Sequence, residues 1–215
     1  MTNGIHPFTS DKELTRFARK FLWGRVCGIR KDIAICLTAN KQRGHAYFPA
    51  LMTCITFLDL LSGLYAGKLR GQGLDELVDY ARTFMNTNHY DELRLAILYE
   101  CFRHKIAHLS HPYVVLDTTT SRKIPKPGMR VTWTVCANDR SVPIELVSYP
   151  SARILQRTRT PWPVKFDSRV TISIHRLKVD AIKSIYRPSG YFANLKTDRS
   201  ARERFARCMS FWFPP

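Results

Sequence analysis

The sequence predicts an α+β protein: a bundle of about four helices over residues 1–112, then a basic appendage at 113–215 that carries a β-hairpin or small sheet, ends in helices and packs on the bundle. Three observations predict it. Apolar residues recur at helical spacing through the first 110 positions. After Pro112 the texture changes to alternating, β-branched runs. Charge changes with it: residues 1–110 hold 15 basic and 10 acidic side chains, net +5, whereas 111–215 hold 19 and 7, net +12.

The first helix opens at "TSDKELTRF", where Thr9, Ser10 and Asp11 are capping residues and Glu13 follows Ser10 at capping-box spacing. Leu14, Phe17, Ala18, Phe21 and Leu22 mark its apolar face, and Gly24 and Gly28 are expected to bend or split it. "NKQRGH" (40–45) is a polar break. Residues 46–66 follow, with one charge, Asp59, and the length of a membrane span. An unpaired aspartate in mid-segment is costly in lipid, so the expected role is the central core helix of a bundle, and no membrane contact is predicted. If buried, Asp59 needs a partner; Arg103 and a helix terminus are both candidates. "GKLRGQG" (67–73) lacks the GK[ST] ending of a phosphate-binding loop and reads as a turn. "LDELVDYARTFMN" is a short helix. Asp91 caps the last one, "DELRLAILYECFRHKIAHL", which Ser110, His111 and Pro112 stop.

Beyond Pro112, "YVVLDTTTS" and "MRVTWTVCA" predict strands around the loop "RKIPKPG", and "VPIELVSYP" predicts a third. Residues 150–168 are rich in proline and expected to be irregular. "RVTISI" (169–174) is a strand running into the helix "HRLKVDAIKSIYR", which Pro188 ends. Asp198 caps a final helix.

Composition bounds the function. A net charge of +17 over 215 residues favours a polyanionic partner, because self-repulsion of that size gives a folded domain nothing. Six scattered cysteines without CxxC or CxxH spacing argue against a zinc site or disulfide framework, and no cofactor or metal is expected. "MTNGIHPFTSDKELTR" shows no apolar stretch of secretory type, so the expected compartment is the reducing cytoplasm.

The unusual stretch is "ECFRHKIAHLS" (100–110), where an apolar-periodic helix finishes in cations and imidazoles. Arginine offers a permanently charged fork of donors for phosphate oxygens, and histidine exchanges protons near neutrality. Together they supply what metal-free RNA cleavage needs: a base for the ribose 2′-OH and a cation for the charge growing on phosphate. The same residues also suit the negative end of a helix dipole, with His108 as a cap or core group, and that structural reading stands beside the chemical one. The pattern Arg103, His104, then Lys105-Ile106-Ala107, then His108 resembles the motif of the HEPN superfamily, and the preceding run of helices resembles its bundle over roughly residues 10–112.

That resemblance implies a homodimer whose two motifs share one cleft. It implies an endoribonuclease leaving a 2′,3′-cyclic phosphate and a 5′-hydroxyl, often within toxin or antiviral defence systems with a neutralising partner protein. Arg103, His108 and His104 would then be catalytic. A non-catalytic RNA- or nucleotide-binding or dimerisation module on the same fold is the alternative, and a structural or assembly protein whose basic half docks on an acidic partner is a third reading. Lys105 and His111 are expected to add phosphate contacts. In the second half, "ARILQRTRTPWPVKF" and "IKSIYRPSGYFANLKTDR" interleave cations with Trp162, Phe166, Tyr186, Tyr191 and Phe192. Arg157, Arg159, Lys165 and Arg187 are accordingly candidate contacts to single-stranded RNA, against the plain reading of core aromatics and solvated cations.

Overall fold

The computed structural model describes residues 8–38, 46–68, 70, 73–103, 115–117, 128–156 and 162–213. Helix α1 (Asp11–Leu37) starts where Ser10 Oγ accepts the Glu13 amide at 3.2 Å, while the Glu13 carboxylate accepts from the amide and hydroxyl of Thr9. The Ser10–Glu13 half of the capping box is as expected, and only the return bond is displaced, from Ser10 to Thr9. Gly24 and Gly28 do not split α1, which runs unbroken from Asp11 to Leu37. A glycine costs a helix only about 1 kcal/mol, and the buried row Leu14, Ala18, Leu22, Val26, Ile29 and Ile33 keeps it continuous.

Helix α2 (Tyr47–Ala66) is the axis of the molecule. Pro49 sits in its first turn, where no intrahelical amide partner is lost. Gly67 ends it in the left-handed region (φ 75°), where a Cβ would also meet Arg204. By length and composition α2 could cross a membrane, but it is mostly enclosed by α1 and by the helices at Leu74–Phe84, Ile174–Tyr186 and Arg199–Trp212 of the same chain.

Helix α3 (Leu74–Phe84) turns back along α2, and α4 (Glu92–Ala96) begins under the Asp91 cap. The regular α-helix expected to the end of this segment gives way to a π-helix over Ile97–Arg103.

The second half forms one four-stranded sheet in the order β1-β2-β4-β3. Strand β1 (Val115–Asp117) pairs antiparallel with β2 (Arg130–Cys136), Val115 opposite Thr132. Strand β4 (Val164–Ser173) lies parallel to β2, and β3 (Ile144–Leu155) closes the far side antiparallel to β4. The proline-rich region corrects the sequence reading: β3 runs past Pro150 to Leu155, and β4 begins at Val164. The register shifts between Ser148 and Arg153, so Pro150 falls in an irregularity where the ladder asks no amide of it.

Strand β4 passes directly into α5 (Ile174–Tyr186), capped by Ser173 Oγ. Two more helices follow, α6 (Tyr191–Thr197), which sequence periodicity did not reveal, and α7 (Arg199–Trp212), capped by Asp198 as expected.

One continuous apolar cluster joins both halves. Trp133 of β2 meets Phe48 of α2 and Phe102 of the π-helix edge-on, with centroids 5.4 and 6.0 Å apart. Tyr80 of α3 shares a 2.8 Å hydroxyl bond with Ser184 of α5. The α+β class is what the sequence predicted.

Candidate functional site

Arg103 is the last described residue of its helix. Upstream, Leu95, Ala96, Ile97 and Leu98 are buried and fix the segment against the core. Phe102 drives inward beneath Trp133. The π-helix is an i→i+5 coil that recurs at functional positions in helices, and here it carries Arg103 to the edge of the bundle.

Two contacts set the guanidinium. Arg103 Nε donates to Asp59 Oδ2 at 2.5 Å, bridging the π-helix to the middle of α2. The Cζ of the group lies over the Tyr99 ring, 4.6 Å from its centroid. The Asp59 side chain is 8% exposed and that of Arg103 28%. Burial raises the pKa of the Tyr99 phenol, with the Arg103 charge opposing and Asp59 and Glu100 reinforcing the rise, so Tyr99 stays neutral through the pH range in which an ordinary phenol ionises. The outcome is a cation held on one edge by a carboxylate and on one face by a ring, with part of its surface open to solvent. Of the two partners that sequence allowed for Asp59, the structure selects Arg103.

Of the other predicted site residues, His104, Lys105, His108, His111, Arg157 and Arg159 lie outside the described residues. Lys165 is exposed on β4, opposite Ile154. Arg187 caps the end of α5 and donates to the Thr83 carbonyl at 3.5 Å, which ties it to the end of α3. Neither contacts Arg103. Of the aromatics singled out with them, Tyr191 and Phe166 are core residues, whereas Trp162, Tyr186 and Phe192 retain exposure. Among the described residues no three His, Cys, Asp or Glu side chains gather at metal-binding range.

Sequence reasoning missed a second feature. A groove of about 900 Å³ opens between α1 and the α5–α6 corner, lined on the α1 side by Lys12, Arg16, Arg19, Lys20 and Trp23. Its signal was present in the 12, 16, 19/20, 23 spacing, one face of a helix, but that face looks like ordinary solvated charge until α6 is seen beside it. Set against protein families, curated proteins and solved structures, the chain matches none.

Proposed function

We propose that the protein is an endoribonuclease of HEPN type that needs no metal, and that it works as a homodimer in the cytoplasm. The observation that carries this reading is the Asp59–Arg103 pair in the π-helical stretch of the fourth helix, which steadies a partly open guanidinium at the first position of "RHKIAH". A fixed, charged donor fork has little orientational freedom left to lose when it meets a phosphate. His108 acts as general base or acid toward the ribose 2′-OH, and His104 orients or assists. Arg103 holds the phosphorane charge, and the products are a 2′,3′-cyclic phosphate and a 5′-hydroxyl. A toxin or antiviral defence role, with a neutralising partner protein, fits such an activity.

One observation favours a second reading. The Nε edge of Arg103 is already committed to Asp59, so the same pair also suits a structural strut in a non-catalytic RNA- or nucleotide-binding or dimerisation module. Labelled RNA incubated with the purified protein in EDTA separates the two. The nuclease reading expects cyclic-phosphate ends, lost in His108→Ala and in Arg103→Lys, which keeps a charge opposite Asp59. Salt-sensitive binding without cleavage overturns it in favour of the module.

A further inference from the structure

We propose that the groove between α1 and the α5–α6 corner is a binding site for single-stranded nucleic acid, separate from Arg103 and independent of whether the protein cleaves RNA. Lys12, Arg16, Arg19, Lys20 and Trp23 form one stripe along α1, about 16 Å long at the helical rise of 1.5 Å per residue. Tyr186 of α5 and Phe192 and Lys196 of α6 make the facing wall. Every one of these cations is exposed.

Little of this charge is spent on the protein itself: Lys196 rests on the Phe192 ring, and Arg16 acts on Glu13 only through space. Among the described residues, no carboxylate lies within ion-pair distance of any of the five cations. The two acids in the first turn of α1 are engaged elsewhere: Asp11 pairs with Arg202 of α7 at 2.7 Å, and Glu13 turns back onto Thr9. The groove therefore carries five positive charges and no lining acid.

The aromatics decide what kind of polyanion fits. Trp23 is 56% exposed, a large ring with no core role. It meets Tyr186 at 6.3 Å in an edge-on pair, and Tyr186 meets Phe192 at 6.3 Å. Lys196 Nζ sits 4.9 Å over the Phe192 ring. A duplex hides its base faces and would use only the cations. A single strand uses both parts, cations tracking its backbone and open rings accepting its bases. An acidic peptide would satisfy the cations and leave the rings without a matching partner.

The test is fluorescence anisotropy of a short, labelled 2′-O-methyl oligouridylate at two salt concentrations. This probe lacks the attacking hydroxyl, so the result does not depend on nuclease activity, and a DNA strand of matching length shows whether the sugar matters. Trp23→Ala, an exposed change that leaves the core alone, is expected to weaken binding about tenfold. Arg16→Glu with Arg19→Glu is expected to weaken it more than about tenfold and to flatten its salt dependence. The matched pair Arg82→Glu with Arg199→Glu, which lies off the groove, is expected to cost less than about threefold. Binding of either strand with this pattern supports the site, and a preference names the sugar. Equal losses from the two charge-reversal pairs, an unchanged Trp23→Ala, duplex binding as tight as single-strand binding, or displacement by polyglutamate as effective as by unlabelled strand would each overturn it.

Discussion

Asp59 is the one charge in the helix from Tyr47 to Ala66, and its consequences are sharpest at the scale of single residues. Taking a carboxylate into a core costs several kcal/mol, which a guanidinium in good geometry largely offsets. Removing Arg103 alone takes the guanidinium away from that buried carboxylate. Since Arg103 is partly exposed, water would relieve some of the penalty, so Arg103→Ala is expected to lower stability by about 2 kcal/mol, below the 3–5 kcal/mol typical of a fully buried pair. The double variant Asp59→Leu/Arg103→Leu should recover most of that loss in urea titrations. If the double variant is no more stable than Arg103→Ala, the carboxylate is not what makes the single change costly. This pair was half legible in the sequence. A lone acid inside an apolar run announces its need for a partner, but nothing in residue spacing could choose between an arginine 44 positions away and a helix terminus. Capping was legible too, since Ser10, Asp91 and Asp198 act through bonds within three residues.

At the scale of elements, what the sequence concealed has a common cause: the deciding contact lies outside the local window. Helix α6 is seven residues long, and its start rests on how closely α5 can be approached. The Gly190 amide donates to the Arg187 carbonyl at 2.8 Å, and a Cβ on Gly190 would sit 2.6 Å from the Ile185 carbonyl oxygen and 2.7 Å from that of Ser184. Both obstacles are backbone, so neither can swing aside. Gly190→Ala should therefore cost about 1–3 kcal/mol in denaturant titration, as overpacking does. Because α6 carries Phe192 and Lys196, the same variant should also weaken strand binding in the groove. A stability within error of the parent protein would show that the α5–α6 corner relaxes freely. The long β3 was hidden similarly. Pro150 argues against a strand by its own chemistry, yet a register irregularity beside β4 accommodates it. The π-helix left no mark either, because the apolar positions of Leu95 to Phe102 satisfy an ordinary helical face equally well.

At the scale of the whole molecule, the change of texture at Pro112 marks a change of secondary structure, while the core runs through it. Helix α2 is packed by α1 and α3 from the first half and by α5 and α7 from the second. Cys54 Sγ donates to the Ile174 carbonyl at 3.9 Å, and Cys208 Sγ to the Gly63 carbonyl at 3.6 Å. Tyr191 lies fully buried against Tyr65, Tyr80 and Phe84. A chain ending at residue 112 would uncover all of this. Each fully buried leucine, isoleucine or aromatic side chain contributes about 1.5–3 kcal/mol by burial, and exposing several removes more than the 5–15 kcal/mol that holds a typical domain folded. The fragment 1–112 is thus expected to lack a cooperative thermal transition and to bind a hydrophobic dye, whereas the full chain should unfold in one step seen alike by far-ultraviolet dichroism and tryptophan fluorescence. A sharp melt from the fragment would mean that α1–α4 close a core of their own. The basic second half would then be an attachment to a bundle already complete, and variants in α5–α7 should leave α2 undisturbed.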